Sequence, residues 1–222
     1  MSNRQYSQID YKFEIYRKMI HICSLSIPII YYFIPKSVGL LILSGVMLIS
    51  LIVDIGRFAN PSFGKLIYRF LGSIFREHEL DSSKKQLSGA TWLLGAAILC
   101  IIVFPKGIAM ISLFFLIIGD TVAALIGRKW GKTPFLKKSL EGTGAFFVST
   151  IIIALLTPKF TDTGLEIGLI IFTGFVAAIA ENYASGWLDD NIAIPLSSGT
   201  VLWLLYMWFF PNLDLVLKNV PQ

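Results

Sequence analysis

Long apolar runs separated by short polar clusters dominate the chain. Seven of them fall at about residues 19–35, 37–55, 88–105, 107–127, 140–157, 165–181 and 192–210. Most have no polar face, so they do not read as surface helices of a soluble core. Runs of this length suit a hydrocarbon layer, where backbone groups must bond internally, and each is predicted to be a membrane-crossing helix. Several are short for a bilayer of about 30 Å, which predicts tilt or local thinning. Residues 60–75, NPSFGKLIYRFLGSIF, follow another rule. Asn60 can cap, Pro61 suits a first turn, and Phe63, Leu66, Ile67, Phe70, Leu71, Ile74 and Phe75 share a helical face opposite Lys65, Arg69 and Arg76. That pattern predicts a basic amphipathic helix lying on a membrane surface.

Composition agrees: 55% of the 222 residues are hydrophobic and 15% charged. The expected fold is all-α, a single membrane-embedded domain over 1–222. Lys and Arg alternate sharply between loops, with fifteen on one side of the seven spans and four on the other. The positive-inside rule then places the N-terminus in the cytoplasm and the C-terminus opposite. No cleavable signal segment is evident, because residues 1–18 are polar and no small-residue cleavage site follows the first run. Cys23 and Cys100 fall near opposite ends of the bilayer, which argues against a disulfide. The net charge of +5 sits beside the membrane and predicts anionic headgroups or a phosphate-bearing solute as partners, not nucleic acid.

The acids are distributed unevenly. Asp54, Asp120, Glu141, Glu181, Asp189 and Asp190 all fall at or just within the predicted cytoplasmic boundary. Acids at membrane depth are costly and usually functional, and Asp120 lies deepest, about 10 Å inside its span. The loop that follows releases five cations, Arg128, Lys129, Lys132, Lys137 and Lys138, before Glu141 re-enters apolar sequence. One ligand class needs both signs of charge: a nucleoside triphosphate with a divalent metal held by carboxylates. Asp120, Glu141 and Asp190 with Asn191 suit Mg²⁺; Arg128, Lys132, Lys137 and Lys138 suit phosphates. Gly119, Gly127, Gly131, Gly142 and Gly144 would let backbone amides approach closely. GRKWGKT (127–133) is one residue short of a P-loop and follows an apolar helix rather than a strand, so that match fails. Structural readings stand beside these. The cations can be topology determinants, Asp189, Asp190 and Glu141 can cap helices, and Asp54 can pair with Arg57 three residues on.

The stretch Gly119-Asp120-x-x-Ala123-Ala124-x-x-Gly127-Arg128-x-x-Gly131, then Lys138-Ser139-x-Glu141-Gly142, resembles the CTP-binding motif of the polyprenol kinase family. RKMIH (17–21), DIGR (54–57), REHE (76–79) with SGAT (88–91), and DDNIAIPLSSG (189–199) resemble further motifs of that family, so the likeness spans about 17–200. The resemblance implies Mg²⁺-dependent transfer of the γ-phosphate of CTP to a membrane lipid alcohol: a polyprenol or dolichol, phytol or diacylglycerol. It implies metal binding by Asp120, Asp190 and Glu141, with Asn191 assisting. It implies nucleotide contacts from Arg128, Lys132, Lys137, Lys138, Ser139 and Gly142, and a cytoplasmic rim of Arg17, Lys18, Asp54, Arg76 and Glu79. His21 and Asp190 are candidates for the catalytic base. Two other readings compete. Phosphatidate cytidylyltransferases carry a similar last motif, but FLKKSLEG lacks their proline. A transporter would need acids along a route across the bilayer, whereas these gather at one face.

Overall fold

A computed structural model describes residues 11–72, 86–183 and 189–222 of the chain. Nine helices form among the described residues. They are α1 (Tyr11–Cys23), α2 (Ser26–Phe33), α3 (Lys36–Ala59), α4 (Pro61–Leu71), α5 (Gly89–Val103), α6 (Lys106–Trp130), α7 (Leu140–Leu156), α8 (Gly164–Tyr183) and α9 (Asp190–Phe209). Four of them, α3, α6, α8 and α9, are long and apolar enough to cross a membrane, while α5 and α7 are shorter apolar helices. The first predicted span is two helices, not one. Pro28 has no N–H to give the Ser24 carbonyl, and its ring crowds that position. The chain makes a turn there instead, with Leu25 N bonded to Ile22 O and Ile27 N to Ser24 O, both at 2.9 Å.

Local signals set most other boundaries. Pro35 and Pro105 precede α3 and α6 as cap residues. Asn60 accepts from Ser62 N at 2.9 Å and Phe63 N at 3.2 Å, opening α4 with Pro61 in its first turn. On the apolar side of α4, Leu66 and Phe70 are exposed, Phe70 at 73%, whereas Phe63 and Ile67 are half-buried. The continuation of that helix toward Phe75 lies outside the described residues.

α6 is the central helix: 72% of its apolar window is buried, against 17% for α3. α7 packs along α6, α8 along both α7 and α9, and α5 between α3 and α9. The α6–α7 contact depends on missing side chains. A Cβ on Gly142 would stand 2.9 Å from Ala123 O, and one on Gly119 would stand 2.7 Å from the Phe146 ring. These glycines therefore let two helices close on each other. Within α6, residues Phe115–Gly119 form one π turn, and Asp120 follows at once. Such turns are uncommon and often mark functional sites.

The basic loop between α6 and α7 is a small hairpin. Two-residue strands β1 (Pro134–Phe135) and β2 (Lys138–Ser139) pair antiparallel around Leu136, whose φ is 50°. At the other end of the bundle Glu166 gathers the α7–α8 connection. Its carboxylate accepts from the backbone N–H of Phe160, Thr161 and Asp162 and from the hydroxyls of Thr161 and Tyr206, at 2.6–3.0 Å.

Candidate active site

Asp120 is 4% exposed, and α1 lies across the part of α6 that carries it. Lys18 Nζ sits 2.5 Å from Asp120 Oδ2, and His21 Nε2 lies 3.6 Å from the same oxygen. Further along the same face of α1, Glu14 is buried. Its Oε1 accepts from Arg17 Nη2 at 2.7 Å, and its Oε2 lies 3.2 Å from Arg128 Nη2. Positions 14, 18 and 21 share one side of a helix, and positions 120 and 128 are about two turns apart on α6. The helices thus meet in matched register, acid on base at one end and base on acid at the other.

A second pair lies behind the first. Lys138, on β2, donates to Glu181 Oε1 near the end of α8. Asp120 and Asp190 are both close enough for their charges to act on Lys138 and Glu181, and Asp190 also acts on His21. Burial works against the Lys138 ammonium, but Glu181, Asp120 and Asp190 outweigh it and hold its pKa above the ordinary lysine value. Asn182, buried beside Glu181, donates to Thr143 Oγ1 at 2.6 Å and ties α8 to α7 under this pair.

The remaining predicted residues separate into other environments. Glu141 lies at the exposed edge, where it accepts from Thr133 N at 3.1 Å and closes the hairpin. Ser139 caps α7, its hydroxyl accepting from Gly142 N at 3.2 Å. Asn191 donates to Asp189 Oδ1 at 2.6 Å, and Asp189 caps α9. Lys132 is exposed, Lys137 reaches Tyr183 O at 3.3 Å, and Lys129 lies 4.5 Å over the Trp130 ring. Of the five glycines expected to admit phosphate, four have protein within 4 Å of where a Cβ would be, and only Gly144 opens on free space.

Asp54 belongs to a separate network. It accepts from Arg57 Nε at 2.9 Å, Ser88 N at 2.9 Å, Ser88 Oγ at 3.1 Å and Thr91 Oγ1 at 2.6 Å. Arg57 in turn reaches Gln86 O at 2.5 Å. The segments DIGR and SGAT are thus one buried junction between the end of α3 and the start of α5. Arg76 and Glu79 lie outside the described residues.

Glu14 was not marked by sequence reasoning, although its spacing from Lys18 and His21 was a usable signal. Glu181 was visible as an acid near the boundary, but its lysine partner, 43 residues away, was not. Among the described residues no three His, Cys, Asp or Glu side chains are arranged to hold a metal ion by themselves. Asp120 is instead matched by an ammonium. The acids of this cluster therefore do not form a resident metal cage among the described residues.

A cavity of about 740 Å³ opens between α2, α6 and α7, lined by Tyr32, Met110, Phe114, Ile118, Val122 and Ile152 among others. Val122 points about 160° around α6 from Asp120. The helix therefore stands between this apolar groove and the carboxylate.

The chain is 33% identical over 189 residues to an uncharacterized protein of Rickettsia prowazekii, covering 85% of this chain and 92% of that one. It is also 33% identical to CTP-dependent diacylglycerol kinase 1 of Schizosaccharomyces pombe, over 68% of this chain and 74% of that protein. The chain belongs to the polyprenol kinase family. A phytol kinase of Synechocystis is a further relative, 28% identical over 45% of this chain and 46% of the other. No family model and no solved structure matches the chain. Family membership and the four long apolar helices make it a membrane protein and a phosphotransferase acting on lipid alcohols.

Proposed function

We propose that this protein is a kinase that transfers the γ-phosphate of CTP to the hydroxyl of a membrane lipid alcohol, releasing CDP. The observation that carries the reading is the buried cluster at one end of the bundle, where Lys18 and His21 meet Asp120 and Lys138 meets Glu181. Phosphoryl transfer asks a protein mainly for positioning and for compensation of charge on phosphate oxygens. Cations already fixed by buried acids are preorganised for that purpose and need little rearrangement when the nucleotide binds. CTP as donor is supported by the name of the fission-yeast relative, a CTP-dependent diacylglycerol kinase.

In this proposal Asp120 and Asp190 would hold a magnesium ion bound to the nucleotide, which would offset charge on the phosphate oxygens. Lys18 stays paired with Asp120 and holds that carboxylate in place. Lys138, fixed by Glu181, and Arg128, fixed by Glu14, neutralise the rest of the polyphosphate. His21 Nε2 is buried without a hydrogen-bond partner among the described residues, and with Asp190 it is the candidate for taking the hydroxyl proton. Glu141 and Asn191 act indirectly, through the hairpin and the start of α9.

The site faces the cytoplasm in this reading, in a bundle that crosses the bilayer seven times, with α5, α7 and the stretch from the end of α1 through α2 as its short spans. α4 lies along the inner surface with its apolar side in the headgroup region. The alcohol reaches the cluster laterally, with its hydroxyl at headgroup depth.

The decisive experiment incubates the purified protein with Mg²⁺, CTP or ATP, and a panel of diacylglycerol, phytol and polyprenols. CDP and a phosphorylated alcohol are expected. Pyrophosphate released from CTP when phosphatidate is the lipid supplied, or no phosphorylated product from any alcohol, would overturn the assignment. Labelling of single cysteines from either side of a sealed vesicle tests the seven-span topology.

A further inference from the structure

We propose that Glu14 is a positioning residue that holds Arg17 and Arg128 together as a two-guanidinium clamp for the diphosphate portion of the bound nucleotide. The proposal rests on the kinase reading above for the identity of that anion, and on geometry for the clamp itself.

Glu14 is 1% exposed, and a carboxylate is rarely so buried unless it is paired. Here one carboxylate serves two arginines from different helices. Oε1 accepts a 2.7 Å bond from Arg17 Nη2, and Oε2 lies 3.2 Å from Arg128 Nη2. The group therefore keeps one positive charge in excess, and that excess lies toward solvent. The Arg17 side chain is 23% exposed and the Arg128 side chain 37%.

The second contact is incomplete in a telling way. Glu14 Oε2 accepts no aligned hydrogen bond from any described residue, although Arg128 is within ion-pair distance. Arg128 is held by charge while its N–H groups remain directed elsewhere. A guanidinium carries five donors in a planar fork suited to phosphate oxygens, and both arginines keep most of theirs. Two guanidiniums side by side repel each other, and the buried carboxylate offsets that repulsion. Arg128 lies about 12 Å along α6 from Asp120 at helical rise, so one extended anion can touch the clamp and the Asp120 cluster together.

A merely structural Glu14 would only pin α1 to α6, and the two roles separate experimentally. The full chain in lipid nanodiscs is titrated with pyrophosphate, and its nucleotide kinetics are measured in parallel. Glu14→Gln is expected to weaken pyrophosphate binding and raise the nucleotide KM, each by about tenfold to a hundredfold, with kcat changed by only a few-fold. Glu14→Asp recovers part of the loss. In an Arg17→Gln/Arg128→Gln background, Glu14→Gln adds no further loss, because nothing remains for it to position. Unchanged pyrophosphate affinity in Glu14→Gln, or an equal further loss in the double-arginine background, overturns the clamp. If Glu14→Gln does not fold, Arg17→Gln and Arg128→Gln carry the test, and wild-type pyrophosphate affinity in both overturns it. Pyrophosphate binding that depends on Glu14, without phosphorylation of any alcohol, would refute the kinase reading and leave the clamp standing. An active kinase with Glu14→Gln at the wild-type KM would do the reverse.

Discussion

Lys18 and Asp120 are 102 residues apart in sequence and 2.5 Å apart in the fold, and neither side chain is more than 6% exposed. A buried pair of this kind is costly to break from one side only, because the survivor is left charged and without its partner. The pair therefore has two separable effects: it stabilises the packing of α1 on α6, and it holds the carboxylate on which catalysis is proposed to depend.

The first prediction separates them. Asp120→Asn abolishes phosphoryl transfer and lowers stability by about 3–5 kcal/mol, through the stranded Lys18 ammonium. Combining it with Lys18→Met removes both charges and recovers most of that stability while activity stays absent. Thermal melts beside product assays check this; recovery of turnover in the double variant would remove Asp120 from the chemistry.

Lys138 is fixed by Glu181 and faces the same cluster. Lys138→Ala should raise the nucleotide KM by about tenfold or more, the scale of one charge-assisted hydrogen bond. Glu181→Gln should move KM in the same direction by less, since the lysine remains. Steady-state kinetics with the nucleotide varied give both values.

The two glycines Gly142 and Gly144 distinguish helix packing from phosphate approach. A Cβ at Gly142 would press on Ala123 O at 2.9 Å, whereas one at Gly144 meets nothing within 4 Å. Gly142→Ala is expected to destabilise the α6–α7 contact and reduce activity with it. Gly144→Ala should leave both melting temperature and turnover near wild type. A large rise in nucleotide KM for Gly144→Ala would restore a phosphate-facing role for that position.

Asp54 holds a buried junction through Arg57, Ser88 and Thr91. Asp54→Ala should lower stability by about 3–5 kcal/mol, because it leaves the Arg57 guanidinium buried without its carboxylate. Nucleotide KM measured on the folded fraction should stay close to wild type. A KM effect exceeding the stability effect would place Asp54 in the site.

At the opposite end, Glu166 takes five hydrogen bonds from the α7–α8 connection and Tyr206. Tyr206→Phe should cost about 1 kcal/mol and Glu166→Ala several times that. Neither should alter the nucleotide KM, which denaturant titration and kinetics on one preparation can establish.

Much of this molecule was legible along the chain. Hydrophobic runs of helical length place the long helices, because a segment without a polar face has few alternatives. Asn60, Ser88, Ser139 and Asp189 mark helix starts by cap chemistry that acts within three residues. The acids and cations that gather at one end also stood out, since charge at membrane depth is rare enough to be noticed.

The tertiary structure decided the pairing. No local rule assigns Lys18 rather than Lys132 to Asp120, or Lys138 to Glu181, because ion pairs between helices depend on which faces meet once the bundle closes. No local rule marks the π turn before Asp120 either, whereas the break at Ser24 follows from the Pro28 ring and is written in the sequence. The glycines show the limit most plainly. Their absence of side chains can be read from the sequence, but only the neighbouring helix shows that the space holds Phe146 and Ala123 and not a ligand.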